Sequence, residues 1–245
     1  MIKLVENNVL VLEKKALDCV IAERINRFTV KVMIGESTRY AHINNTGRLR
    51  DLLVNGRRAY CYEINGSKLN CRIYAVEERY GFAIIDTLLQ EKIFETIVRE
   101  GLLSFFGTCH SIKGKPRVKN RIYDYLLSCE KTSFLVEIKS ATMRLKEIYA
   151  SYPDTRTDRG VKHIMYLPDD AKSIGAIPVL VFIAGLRSVE AVVPNYIAEP
   201  RILNAIDAST KKGLLVQGLS LYVSDDDPQK IIVDKQNLPV IMAPL

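Results

Sequence analysis

The sequence predicts a two-domain α+β chain in which a small N-terminal β-barrel is followed by an α/β domain. Three observations carry this reading. The first eighty residues alternate apolar and polar with few helix signals, strands alternate with amphipathic helical stretches beyond Gly81, and no long linker, repeat or low-complexity segment intervenes. The change of pattern sets the boundary near residues 80–86, giving a barrel domain over 1–82 and an α/β domain over 83–245.

In the first half, residues 16–25, 28–34, 39–43, 58–64 and 70–76 are rich in Val, Ile and Tyr and are broken by Gly35, Gly47, Gly56 and Gly66. Asn65-Gly66 marks a tight hairpin between the last two of these strands. Five strands in so short a stretch suggest a closed barrel of the OB type, and an SH3-like barrel fits the same pattern.

In the second half, Leu89, Ile93, Phe94 and Ile97 recur at helical spacing, with Asp86 or Thr87 as N-cap and Gly101 as stop. Strands follow around 103–112, 121–129 and 133–138, then a helix from Thr157 until near Pro168. The apolar run 177–184 is a buried strand, 200–212 a helix closed by Gly213, and 214–223 the last strand.

Net charge is +7, distributed as +3 over residues 1–100, +6 over 101–163 and −2 over 164–245. A basic surplus gathered in the middle of the chain points to a polyanionic partner. No apolar run reaches the roughly 18–20 residues needed to cross a bilayer. The N-terminal residues lack the pattern of a secretory signal, so the cytoplasm is the expected compartment and no membrane partner is expected. Cys19, Cys61, Cys71, Cys109 and Cys129 show no Cys-x-x-Cys pairing, and three histidines do not support a zinc site. Reduced thiols are expected, with one internal disulfide as the alternative for a chain from a hot environment.

The basic region surrounds Asp124 and, thirteen residues on, Glu137-Ile138-Lys139. Two carboxylates at the ends of neighbouring strands suit a Mg²⁺ or Mn²⁺ ion, since hard cations take oxygen ligands and leave positions open to a phosphate. Strand alternation puts Glu137 and Lys139 on one face, where the lysine can position a water and neutralise charge on a phosphorane. The ordinary alternative is a strand hairpin with a surface ion pair. Glu95 or Glu100 on the preceding helix is the candidate for a third carboxylate.

Lys113, Lys115, Arg117, Lys119 and Arg121 occupy alternate positions. Extended, they form a one-sided cationic row at roughly 6.6–7 Å spacing, near the phosphate repeat of one strand. Asp154, Asp158, Arg159, Lys162 and His163 cluster where a Pro-containing loop enters a helix; the three cations there suit phosphate, while Asp158 and Lys162 are spaced as a helix-surface pair. In the barrel, Arg24, Arg27, Arg39, Arg48, Arg57 and Arg58 with Tyr40, Tyr60 and Tyr62 offer charge and stacking, although tyrosines at strand spacing more often form core or cross-strand pairs. His42, Asn45, Thr46 and Gly47 form either a ligand-holding turn or one that only shapes the chain.

Four stretches together resemble the sugar fermentation stimulation protein (SfsA) family. Arg24-Ile25-Asn26-Arg27-Phe28 is similar to its Arg-x-x-Arg-Phe motif, and His42-Ile43-Asn44-Asn45-Thr46-Gly47 to its His-Cys-Pro-Asn-Thr-Gly loop. Glu137-Ile138-Lys139-Ser140-Ala141-Thr142-Met143 resembles its Glu-Val-Lys-x-Val-Thr-Leu strand. Tyr152-Pro153-Asp154-Thr155-Arg156-Thr157-Asp158-Arg159-Gly160-Val161-Lys162-His163 resembles its Phe-Pro-Asp-Ala-x-Thr-Glu-Arg-Gly-x-Lys-His segment. The resemblance implies an OB-like barrel joined to a PD-(D/E)xK nuclease-like α/β domain, DNA binding of low sequence specificity, and regulation of sugar, notably maltose, utilisation genes. The chain departs from the family in three places. Ile43-Asn44 replaces Cys-Pro, one extra residue precedes Asp124 in Arg121-Ile122-Tyr123-Asp124, and no acidic residue lies between Glu100 and Asp124.

The expectation is therefore a divalent-metal-dependent nuclease acting on DNA. Asp124 and Glu137 bind the metal, Lys139 assists, and Arg24, Arg27, His42, Asn45, Arg159, Lys162, His163 and the 113–121 row contact the strand. Its rival is a non-catalytic DNA-binding regulator on the same scaffold. Charge does not distinguish RNA from DNA, and a second copy of the chain is a further candidate partner.

Overall fold

The computed structural model describes residues 2–6, 8–66 and 69–243. Two leading strands, β1 (Ile2–Glu6) and β2 (Val9–Leu12), precede β3 (Leu17–Arg24), β4 (Thr29–Ile34), β5 (Ser37–His42), β6 (Arg58–Glu63), β7 (Cys71–Glu78) and β8 (Gly81–Ile84). Next come α1 (Thr87–Arg99), β9 (Cys109–Gly114), β10 (Arg117–Val118), β11 (Arg121–Ile122), β12 (Tyr125–Cys129), β13 (Ser133–Ser140), β14 (Met143–Leu145) and β15 (Tyr149–Tyr152). The chain continues through α2 (Asp158–Ser173), β16 (Ala176–Ala184), β17 (Ala191–Pro194), α3 (Ile202–Thr210), β18 (Leu215–Val223) and β19 (Lys230–Lys235).

The five expected barrel strands all form. β3 pairs antiparallel with β4 and β6, β4 with β5 and β6 with β7, and β5 closes on β7 in parallel at Ala41↔Cys71. That parallel closure makes the barrel an OB fold. Ile21, Val30, Val32, Ala41 and Ile73 fill it. The β6–β7 hairpin is wider than Asn65-Gly66 suggests. Ile64 N–H donates to the Asn70 carbonyl at 2.9 Å, so the connection spans residues 64–70, of which 67 and 68 lie outside the described residues.

The second half is built on an eight-stranded sheet in the order β1-β2-β19-β18-β16-β13-β12-β9. β13, β16 and β18 are parallel and the flanking pairs antiparallel. α1 covers one face and α2 the other, so β16 is buried along nearly its whole length. The domain is mixed α/β. Two expectations change here. The first dozen residues join this sheet through the β2–β19 pairing rather than the barrel, and β18 is followed by a further strand, β19.

Helix ends follow local chemistry. Asp86 caps α1 by accepting the Leu89 N–H at 3.0 Å, and Gly101 beyond the helix has φ +68°. Thr157 caps α2 by accepting the Gly160 N–H at 3.1 Å. α2 passes through Pro168 and ends at Ser173 instead of stopping near the proline. The proline has no N–H for the Ile164 carbonyl, and Ser209 Oγ of α3 donates to that oxygen at 3.1 Å. Tertiary packing thus repairs the lost helical bond.

The thiols are not all reduced. Cys109 of β9 and Cys129 of β12, paired in register, form a disulfide, while Cys19, Cys61 and Cys71 are free and buried. Among the described residues no helix is long and apolar enough to cross a membrane.

Candidate functional site

A cleft of about 520 Å³ lies where the barrel meets the α/β domain. It is lined from the barrel side by Arg27 and Thr46, and from the other by Glu91, Lys115, Ile122, Asp124, Glu137, Lys139, Tyr152, Thr157, Arg159, Gly160 and His163. Asp124, Glu137, Lys139, Arg27, Thr46, Arg159 and His163 therefore line one cleft.

The strands explain how the carboxylates meet. Tyr125 of β12 pairs with Val136 of β13, and both face α1. The next pair along, Asp124 and Glu137, falls on the opposite face. Tyr123 does not continue this alternation, because its ring packs on the α2 side while Tyr125 packs on the α1 side. This break between β11 and β12 leaves Asp124 lining the cleft. Its Oδ2 accepts the Ile138 N–H at 2.7 Å.

Glu137 is only 5% exposed. Its Oε1 accepts a hydrogen bond from Lys139 Nζ and lies 3.0 Å from His163 Nδ1. Burial alone would raise its carboxyl, but Lys139 and His163 outweigh burial and hold it at about 2. Burial likewise opposes charge on Lys139, and Glu137, Tyr152 and Asp124 reverse this, leaving its ammonium above the ordinary lysine value.

The third carboxylate is Glu91, not Glu95 or Glu100. Glu95 sits one turn beyond Glu91 and is bound by Lys92 and Arg99 at 2.7 and 2.8 Å, while Glu100 is the exposed C-cap residue of α1. Glu91 stands four residues after Thr87, which lines the adjoining cavity, so one stripe of α1 serves both. Burial, and then the nearby Asp124, push its carboxyl up. Lys115 Nζ lies between the two, 2.6 Å from Glu91 and 2.8 Å from Asp124.

Glu91, Asp124 and Glu137 form an all-oxygen donor set suited to a hard divalent ion. Among the described residues they are not drawn together as a metal cage. Lysines answer their charge instead, Lys115 for the first two and Lys139 for the third.

The cationic row does not form. Lys115 and Lys119 take φ +50° and +49°, so the chain turns twice between β9 and β11 rather than running extended. Lys115 is bound as above, and Lys119 and Arg121 pair with Asp170 of α2 at 2.9 Å each. Lys113 and Arg117 stay exposed.

The family-like loop lines a second cavity of about 240 Å³ that shares Arg27, Thr46, Lys139, Tyr152 and Thr157 with the cleft. Asn45, Gly47, Thr142 and Asp154 line it too. Asp154 Oδ2 accepts the Leu49 N–H at 2.8 Å, and a side chain at Gly47 would place its Cβ 2.5 Å from that oxygen. Arg24 donates to the Gly47 and Arg48 carbonyls, so it shapes this loop rather than reaching the cleft. Asn44, standing where the family carries proline, fixes the loop by side-chain bonds: it accepts the Thr87 N–H at 2.9 Å and donates to Asp86.

Three expected contacts lie elsewhere. His42 stacks on Phe28 at 6.5 Å and does not line the cleft. Lys162 points to solvent, and Asp158 pairs with Arg201 at 2.7 Å instead of Lys162. Of the barrel tyrosines, Tyr60 and Tyr62 pack against Tyr74 and only Tyr40 stays exposed.

An OB barrel closed onto a mixed α/β domain, with acidic and basic side chains meeting at the seam, defines the class. Residues 22–85 match the SfsA N-terminal OB domain and residues 88–227 the sugar fermentation stimulation protein RE domain. The chain belongs to the sugar fermentation stimulation protein family. A homolog from Pyrococcus furiosus is 38% identical over 205 residues, covering 84% of this chain and 88% of its own length. One from Archaeoglobus fulgidus is 37% identical over 196 residues, covering 80% and 84%. The solved structure of Pyrococcus furiosus SfsA in complex with Ca²⁺ superposes with a TM-score of 0.87 at 35% identity, covering 94% of this chain and 99% of that one.

Proposed function

We propose that the cleft binds a divalent metal ion and hydrolyses phosphodiesters in DNA of many sequences, on a domain of the PD-(D/E)xK nuclease type. The carrying observation is the convergence of Glu91, Asp124, Glu137 and Lys139 on one cleft. The Ca²⁺ complex of the Pyrococcus furiosus relative supports a divalent ion here. Glu91, Asp124 and Glu137 would hold Mg²⁺ or Mn²⁺, which when bound neutralises phosphate charge and activates water. Lys139 stays protonated, so it acts as a fixed positive donor to the phosphate and to the water's position, and not as a base. His163 steadies Glu137, and Arg27 and Arg159 supply the cleft's cationic rim. The working compartment is the cytoplasm.

A second reading rests on the lysines. With Lys115 bridging Glu91 and Asp124 and Lys139 on Glu137, each carboxylate already has a cation, which favours a non-catalytic DNA-binding regulator. Labelled single- and double-stranded DNA and RNA incubated with Mn²⁺, Mg²⁺ or EDTA, beside a Glu137→Ala control, separate the two. Metal-dependent cutting lost in the control supports the nuclease and identifies the polymer; binding without cutting under every condition leaves the regulator.

A further inference from the structure

A separate pocket of about 490 Å³ lies along α1 and shares no lining residue with the cleft. Its floor is apolar: Ile2 of β1, Leu12 of β2, Tyr62 of β6, and Leu88 and Leu89 of α1. Three parts of the chain remote in sequence build it, and its size falls within the range of small-molecule sites.

Its charge is one-sided. Lys14, Arg72, Lys92 and Arg99 line it against a single acid, Glu95. Lys92 and Arg99 are paired with that acid. Lys14 sits over the Tyr62 ring at 4.5 Å and donates to the Glu63 carbonyl. Arg72 Nε is buried without a hydrogen-bond partner among the described residues, while the guanidinium lies within reach of the Tyr62 hydroxyl. A guanidinium with an unused donor on an apolar pocket gains a charge-assisted hydrogen bond when an anion arrives. Beside these cations Leu88 is an exposed apolar side chain on a helix whose Ile93 and Ile97 are fully buried in the core.

We propose that this pocket is a binding site for a small amphipathic organic anion. The carboxylate, sulfonate or phosphate head meets Arg72 and Lys14, and the apolar body lies against Leu12, Leu88 and Leu89. The site is independent of the cleft and of any nuclease activity.

The pocket also touches the cap of α1. Tyr62 OH donates to Asp86 Oδ2 at 2.9 Å, and Asp86 in turn caps the helix that carries Glu91. A ligand bridging Tyr62, Arg72 and α1 therefore ties barrel to helix and stabilises the folded chain by mass action.

The test uses the full chain and two dyes that share an apolar body: 8-anilinonaphthalene-1-sulfonate, and its uncharged parent N-phenyl-1-naphthylamine. Fluorescence titration should show the sulfonate saturating at one per chain, roughly tenfold tighter than the parent, the weight of one charge-assisted hydrogen bond. Arg72→Gln should remove that preference. Leu88→Glu, at an exposed position that does not threaten folding, should weaken the sulfonate by about tenfold or more, and circular dichroism should confirm both variants folded. Equal affinity for the two dyes, sulfonate binding unchanged in Leu88→Glu, or no saturation would each overturn the proposal. Displacement of the dye by an oligonucleotide would also overturn it, making the pocket part of a nucleic-acid path.

Discussion

Glu91 and Asp124, thirty-three residues apart on α1 and at the mouth of β12, share one ammonium group: Lys115 Nζ bonds both, at 2.6 and 2.8 Å. Two carboxylates facing one cation form either a closed structural bridge or a metal site with its lysine in place of the metal. The two differ in what removing the lysine does. In the metal reading the ammonium competes for the same oxygens, so Lys115→Met should bind Mn²⁺ more tightly than the parent, by about tenfold, despite losing a basic residue. Glu91→Gln should bind it more weakly. Isothermal titration with Mn²⁺ reads both, and weaker binding by Lys115→Met would make the bridge structural.

The basic segment divides into a paired half, Lys119 and Arg121, and an exposed half, Lys113 and Arg117. Asp170 is 1% exposed and accepts from Lys119, Arg121 and the Tyr123 hydroxyl, the last at 2.8 Å. Asp170→Ala leaves the buried Tyr123 hydroxyl without its acceptor while water takes over Lys119 and Arg121, and should cost about 1–3 kcal/mol in urea denaturation. Lys113→Gln with Arg117→Gln should leave stability unchanged and, if the cleft binds DNA, lower the slope of log affinity against log salt by about 2. A stability loss in that pair, or an unchanged salt slope, counts against this division.

Why the sequence misled here is instructive. Five cations at alternate positions read as an extended row only if every residue between them is in a strand, and Lys115 and Lys119 carry positive φ that no residue type announced. The barrel was legible because its strands alternate by two and each inward residue is apolar. Glu137 and Lys139 were legible for the same reason, sitting on a strand whose period fixes their common face. Glu91 was missed because a helix presents several carboxylates and only the packing of α1 on β12 selects one. Residues 1–15 fell inside the expected barrel domain of 1–82 with no strand read there, whereas β2 pairs with β19, more than two hundred residues away, a partner that nothing local in sequence points to.

The cysteines give a direct check on the β9–β12 edge. Thiol titration in denaturant should count three groups without reductant and five with it, since Cys109 and Cys129 are bonded. Reduction should cost about 3 kcal/mol of stability, in keeping with closure of a loop of this length. Five thiols without reductant would show the edge held by backbone pairing alone.

Acid should loosen the junction of α2 and α3 through Glu199. Its carboxylate is buried and accepts from Arg201 Nε and Nη2, each at 2.7 Å, and from the Thr157 N–H at 3.1 Å, where α2 begins. The Arg201 guanidinium holds its carboxyl down to about 2, burial opposing. The folded state therefore binds this proton more weakly than the unfolded chain, whose glutamate titrates near 4.3. Stability from this group is full above that value and is lost as pH falls towards about 2. Urea midpoints measured from pH 6 to pH 2 should fall less steeply in Glu199→Gln than in the parent across this window, because glutamine keeps an acceptor for the Thr157 N–H but does not titrate. Identical slopes would show that other carboxylates carry the acid response, and that the α2 cap does not depend on Glu199 being charged.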